Sequence, residues 1–177
     1  MLPTALQAVW DELGIAPDVL TAKRLLVFAE APALVEVERS DDGRVWQLTP
    51  DAAQAWWAMQ ATAAEAGVVL RIASAYRSSA RQAELIQRKL TQGQDIASVL
   101  QVLAPPGCSE HHTGRAVDIY TPGGPVAELA FADTAAFAWL IAHAGHFGFR
   151  LSFPEGNHNG YQYEPWHWCY HPTTEQA

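Results

Sequence analysis

An α+β fold, with helices packed on a small antiparallel sheet, is predicted by three features of the sequence. Apolar residues at helical spacing dominate residues 4–13, 49–67 and 79–90, so the helices cluster early. Short β-leaning runs lie at 34–38, 44–48, 68–74, 116–120, 149–153 and 163–170, and the later ones bracket the most polar motifs of the chain. The 177 residues, 49% of them apolar, are enough for one compact domain with a real core and leave little room for a second.

The elements follow in order. Residues 4–13 alternate apolar and polar at roughly helical spacing and stop at Gly14, and 17–30 read as a short helix ending before Pro32. The runs 34–38 and 44–48 flank Ser40-Asp41-Asp42-Gly43, a hairpin turn. Thr49 then caps the clearest helix, with Pro50 suited to its first position, Gly67 to its exit, and Trp56, Trp57 and Met59 forming its core face. Residues 68–74 form a compact apolar strand. Ser79-Ala80-Arg81-Gln82 has capping-box spacing and starts a helix to about Leu90, and 95–102 is a shorter helix closed by Pro105-Pro106-Gly107. Beyond them come a strand at 116–120, a loop at 121–125, a helix over 134–144 capped by Asp133 and stopped at Gly145, a strand at 149–153, a polar loop at 154–160 and a last strand at 163–170. The tail 173–177 is expected to fray. Residues 1–48 are read as an N-terminal extension packed on a core of 49–172.

The formal charge is -8, with two lysines against nine arginines. An acidic surface argues against nucleic acid as partner and against capture of an anionic polymer by bulk charge, so an anionic substrate would need particular arginines. No apolar run approaches the length of a membrane span. The opening residues carry no basic segment followed by an apolar signal core, which points to the cytoplasm for the sequence as it stands and to the cell envelope for a longer chain. Two cysteines, Cys108 and Cys169, are too few for a disulfide framework. The sequence does not disclose the oligomeric state.

Two segments offer metal ligands: Ser109-Glu110-His111-His112-Thr113-Gly114-Arg115-Ala116-Val117-Asp118 and Glu164-Pro165-Trp166-His167. His111 and Asp118 are too far apart for one helical turn, but a loop leading into a strand, bent at Gly114, brings them together. Pro165 forbids a regular central strand, and a turn there aims both Glu164 and His167 inward. Two neutral imidazoles and one carboxylate leave zinc with net positive charge and an incomplete shell, while Glu164 is spare as a base for hydrolysis. A lone histidine is usually a surface or satisfied core residue, and His112, His143, His146, His158 and His171 are read that way. A rival set stays open: Cys108-x-x-His111 with His167-x-Cys169 spells a Cys₂His₂ structural zinc, although it leaves Asp118 and Glu164 without roles. A disulfide between Cys108 and Cys169 is a third arrangement.

These segments resemble a known family. Ser109-x-His111-x-x-Gly114-x-Ala116-x-Asp118 is similar to the S-x-H-x-x-G-x-A-x-D signature of the bacterial D-alanyl-D-alanine carboxypeptidases and dipeptidases, which include the VanY-type enzymes of vancomycin resistance. Glu164-x-Trp166-His167 matches their E-x-W-H motif, and Ser74-Ala75-Tyr76-Arg77-Ser78, followed by Gln82, resembles their S-x-Y-R-S motif. The resemblance covers about residues 68–171; residues 1–48 match nothing in it. It implies the Hedgehog/DD-peptidase-like α+β fold with a zinc cleft, Zn²⁺ held by His111, Asp118 and His167, Glu164 as catalytic base, and substrate contacts from Arg77 and Ser109. A guanidinium suits Arg77 to that task, because it grips a terminal carboxylate in a bidentate fork that fixes angle as well as charge. Tyr76 and Trp166 are read as wall and packing residues.

The expected function is therefore a zinc D,D-carboxypeptidase removing the terminal D-alanine from peptidoglycan stem peptides or precursors. D-alanyl-D-alanine dipeptidase, L,D-carboxypeptidase and peptidoglycan endopeptidase are alternatives on the same site. A zinc-bearing cell-wall binding domain is the non-enzyme alternative, and an intact Glu164 speaks against it.

Overall fold

The structure is a computed structural model that describes residues 2–40 and 42–172. The tail 173–177 and Asp41 of the expected hairpin turn lie outside the described residues. Helix α1 (Thr4–Leu13) closes on Gly14, whose φ of 69° is the left-handed conformation a C-cap needs. The helix expected over 17–30 shrinks to one turn, α2 (Val19–Ala22). Beyond it the backbone hydrogen bonds go to distant loops, Phe28 N–H to the Gly107 carbonyl and Ala31 N–H to the His112 carbonyl, both at 2.8 Å. Tertiary pairing has replaced the helical ladder there.

Strands β1 (Val35–Arg39) and β2 (Val45–Leu48) form the expected hairpin, with a bulge between Glu36 and Glu38. Helix α3 (Pro50–Glu65) starts on Pro50 as expected, but the Thr49 hydroxyl makes no cap bond and instead donates to the Gly114 carbonyl at 3.4 Å. Trp56 and Met59 are fully buried, whereas Trp57, one residue further round the helix, is 44% exposed. Helix α4 (Ser79–Thr91) is capped one residue earlier than expected, by Ser78, because the Ser79 amide and hydroxyl are both committed to Glu30. Helix α5 (Ile96–Val99) is capped by Asp95. Helix α6 (Ala135–His143) is capped by Thr134, not Asp133, which ends a preceding 3₁₀ turn.

The second sheet is built from β3 (Arg71–Ser74), β4 (Ala116–Tyr120), β5 (Phe149–Leu151) and β6 (His167–Tyr170) in the order β3-β4-β6-β5, with every neighbouring pair antiparallel. The strand expected over 163–170 is shorter, because Glu164–His167 is a tight turn closed by His167 N–H donating to the Glu164 carbonyl at 3.0 Å. Pro165 sits inside that turn, where its missing N–H costs nothing.

Trp56, Met59, Ile72, Val117, Ile119, Leu140, Phe149 and Trp168 make the main core between α3, α6 and the four-stranded sheet. A second cluster gathers Trp10, Leu13, Ile15 and Leu25 of the N-terminal region with Ile86, Val99, Leu100, Cys108 and Tyr161. Among the described residues no helix is long and apolar enough to cross a membrane.

Candidate active site

The sheet register assembles the site. Asp118 pairs with Ser74 on one side and with His167 on the other, so the centre of β4 faces the start of β6 and the end of β3. His111 comes from a 3₁₀ turn (Glu110–Thr113) whose N-cap, Ser109, accepts from the His111 N–H at 3.4 Å. Gly114 ends that turn at φ +66°, and a Cβ there would lie 2.9 Å from Leu34 Cδ2 and 3.0 Å from Ala31 Cβ. Its contribution to the expected bend is thus a left-handed turn under close packing.

His111, Asp118 and His167 are the one group of three or more metal-binding side chains among the described residues, with one donor atom from each lying within 4.8 Å of the others. The ring nitrogens can be assigned from their partners. His111 Nδ1 lies 2.8 Å from the Ala75 carbonyl, which only accepts, so Nδ1 carries the proton and Nε2 the lone pair. That lone pair faces Asp118 Oδ2 at 3.3 Å. His167 Nε2 lies 2.9 Å from Glu110 Oε2, leaving Nδ1 facing Asp118 Oδ1 at 3.0 Å. With both imidazoles neutral, lone pairs meet carboxylate oxygens, an arrangement that calls for a cation. Without one the charge falls on His167: burial opposes it, but hydrogen bonds to Asp118 and Glu110 raise its pKa well above the usual range. A metal ion competes with that proton. The donor set fits zinc, whose catalytic sites take three protein ligands and leave a position open.

The sequence motifs give Glu110 no role. In the fold its carboxylate bonds His167, accepts the Ser152 hydroxyl at 2.6 Å, and is drawn down to about 2 because these bonds and the His167 charge outweigh burial. Phe153 packs on the other side of the His167 ring, centroid to centroid at 4.8 Å. Glu164 Oε2 is 3.9 Å from His167 Nδ1. Burial pushes the Glu164 carboxyl up to about 7, against the opposing His167 charge.

Arg77 sits in the turn between β3 and α4. Burial lowers its pKa, with Asp118 and Glu164 partly offsetting that cost, and its Nε is buried without a hydrogen-bond partner among the described residues. The Tyr161 hydroxyl is orphaned in the same way. Arg77, Ser109, His111, Asp118, Glu164 and His167 all line one cleft of about 700 Å³, walled also by Lys89, Phe153, Tyr161 and Trp166. Cys108 reaches the cleft wall, but both cysteines are free and neither belongs to the donor cluster. The Cys₂His₂ set and the disulfide are therefore not what this fold forms. Tyr76, read as a wall residue, instead donates its hydroxyl to Glu30 at 2.8 Å.

The family model for VanY, D-alanyl-D-alanine carboxypeptidase, matches residues 46–173. The chain is 33% identical over 147 residues to the bifunctional D-Ala-D-Ala dipeptidase and D-Ala-D-Ala carboxypeptidase VanXYC of Enterococcus gallinarum, covering 80% of this chain and 75% of that protein. Among solved structures, the LdcB LD-carboxypeptidase superposes with a TM-score of 0.71 at 32% identity, over 80% of this chain and 69% of that one. The vancomycin-resistance D,D-pentapeptidase VanY in complex with Zn(II) superposes with a TM-score of 0.62 at 26% identity, over 84% and 87%. The helices on a small antiparallel sheet are thus the fold of these zinc peptidases, and this chain belongs to the VanY family of D-alanyl-D-alanine carboxypeptidases.

Proposed function

We propose that this protein is a zinc carboxypeptidase that removes the terminal D-alanine from peptidoglycan stem peptides or their precursors. The observation that carries the reading is that one cleft holds three converging donor atoms, a half-buried carboxyl raised to about 7 and an arginine whose buried Nε has no hydrogen-bond partner among the described residues. His111 Nε2, Asp118 and His167 Nδ1 would hold zinc, which when bound would supply a Lewis acid able to polarise a carbonyl and acidify water near neutral pH. Glu110 holds the other nitrogen of His167, fixing the tautomer that turns a lone pair toward the metal.

The remaining roles belong to the chain itself. Arg77 takes the terminal carboxylate of the peptide, with Asp118 and Glu164 partly offsetting the cost of burying its charge. Ser109, whose oxygen accepts from the His111 amide, keeps its hydroxyl proton for a substrate oxygen. Glu164 takes the proton of the attacking water and returns it to the departing amine, which a carboxyl near pH 7 can do in both directions. Residues 1–48 form part of the same compact unit on this reading, supported by Trp10 lying fully buried against Ile86 and Val99.

D-alanine release from a pentapeptide ending in D-alanyl-D-alanine, lost to a chelator and restored by zinc, is the expected result; a chain that stays inactive with zinc restored would sink the reading. Likeness to LdcB favours L,D-carboxypeptidase as a second reading. A tetrapeptide ending in a single D-alanine separates the two, and free D-alanyl-D-alanine tests dipeptidase activity.

A further inference from the structure

The turn that carries Arg77 is held by groups on both of its sides, and neither is a fixed position of the motifs above. On the inner side lies His112, fully buried. Its Nδ1 lies 2.6 Å from the Arg77 carbonyl and its Nε2 accepts from the Gly107 N–H at 3.1 Å, so the ring is a neutral strut between two loops. The Arg77 N–H donates to the His111 carbonyl at 3.2 Å, which fixes both ends of that residue's backbone. On the outer side lies Glu30, in the N-terminal segment beyond the residues the family model matches. One Glu30 oxygen accepts the Tyr76 hydroxyl at 2.8 Å, and the other accepts the Ser79 amide at 2.8 Å and the Ser79 hydroxyl at 2.6 Å. The segment is itself fastened to the inner side, since Ala31 N–H donates to the His112 carbonyl and Phe28 N–H to the Gly107 carbonyl.

An arginine is a long side chain, and Arg77 Nε has no hydrogen bond of its own to set its direction. Beyond the pull of the Asp118 and Glu164 charges, its aim depends on where its backbone is pinned. Recognition of a carboxylate by a planar fork depends on angle, and a misplacement of an ångström can be costly. We propose that His112 and Glu30 are positioning residues, a two-sided clamp on residues 76–79 that aims the Arg77 guanidinium into the cleft. The N-terminal segment thereby takes part in substrate selection without touching substrate. This rests on the reading of Arg77 as the carboxylate receptor.

The test compares steady-state kinetics on a free-acid peptide and on its C-terminal amide, with zinc affinity measured on the same samples. His112→Phe and Glu30→Ala should each raise KM for the free acid on the order of tenfold, change kcat little, and erode the preference for acid over amide. Zinc affinity should stay unchanged. His112→Gln and Glu30→Gln, which keep a donor or acceptor at similar reach, should recover most of the loss. Arg77→Ala is the control for the underlying reading: if it leaves the acid-over-amide preference intact, the carboxylate receptor and the clamp both fall. If Arg77→Ala abolishes the preference while the clamp variants leave it untouched, the clamp alone is wrong. A loss of zinc affinity in step with KM would also overturn it, because the effect would then run through His111. Should His112→Phe fail to fold, Glu30→Ala and Tyr76→Phe at the outer side decide the question.

Discussion

Replacing Glu110 by alanine should weaken zinc binding 10- to 100-fold, about 1.4–2.7 kcal/mol, while leaving the three ligands in place. The magnitude follows from what the carboxylate does. Its Oε2 lies 2.9 Å from His167 Nε2, and hydrogen bonds to His167 and Ser152 with the His167 charge draw its pKa down against burial, so the bond is made by a carboxylate. A hydrogen bond to a charged group of this kind contributes about 1.5–3 kcal/mol. Without it His167 is free to carry its proton on Nδ1, which would turn an N–H instead of a lone pair toward Asp118, and the imidazole becomes a weaker donor. Ser152→Ala removes only the 2.6 Å bond that steadies Glu110, one step further from the donor cluster, and should weaken zinc binding less than Glu110→Ala does. The assay is competition for zinc against a chromophoric chelator near neutral pH, run beside His167→Ala. The wild-type-to-variant ratio should stay flat across the neutral range, since Glu110 does not titrate there. If Glu110→Ala bound zinc as tightly as the wild type while His167→Ala lost it, the assigned tautomer and the role of Glu110 would be refuted.

Other outcomes follow from the same geometry. Glu164→Ala should retain zinc and lose about 10²- to 10⁴-fold in kcat, the usual share of a general base, and metal content with turnover on one sample checks it. Only the ionised Glu164 accepts a proton, so kcat/KM should fall as pH drops through its pKa; burial, opposed by the His167 charge, puts that near 7, and the positive charge of a bound metal moves the acid limb lower. A pH profile that is flat through this range would count against Glu164. Trp10→Ala empties a fully buried site and removes the indole bond to the Pro106 carbonyl at 2.9 Å, so denaturant unfolding should show a loss of about 3–5 kcal/mol.

Much of the site was legible in the sequence because its residues sit in short segments whose chemistry is local. The spacing from Ser109 to Asp118 and the proline between Glu164 and His167 announce a loop entering a strand and a turn before another, and the fold has both. Helices α1 and α3 were legible for the same reason, since periodicity and a stop or start residue are encoded within a few positions. The failures share one cause. Residues 17–30 have helical spacing, yet the chain leaves the helix at Arg24, which takes a φ of 51°, and spends its next hydrogen bonds on loops far away in sequence. Ser78 displaces Ser79 as the cap of α4 because Glu30, 49 residues away, has already claimed Ser79.

By itself the sequence determined the α+β character and offered the candidate donors and the spare acid, because composition, spacing and backbone preference act over neighbouring residues; the resemblance to a known family pointed to the arginine. Only the tertiary structure decided which nitrogen of each histidine faces Asp118, that Glu110 stands behind His167, that both cysteines stay free, and that His112 and Glu30 both meet the turn of Arg77. The hydrogen bonds involved join residues 35 to 57 apart. Their geometry is set by strand register and packing, which no local pattern carries.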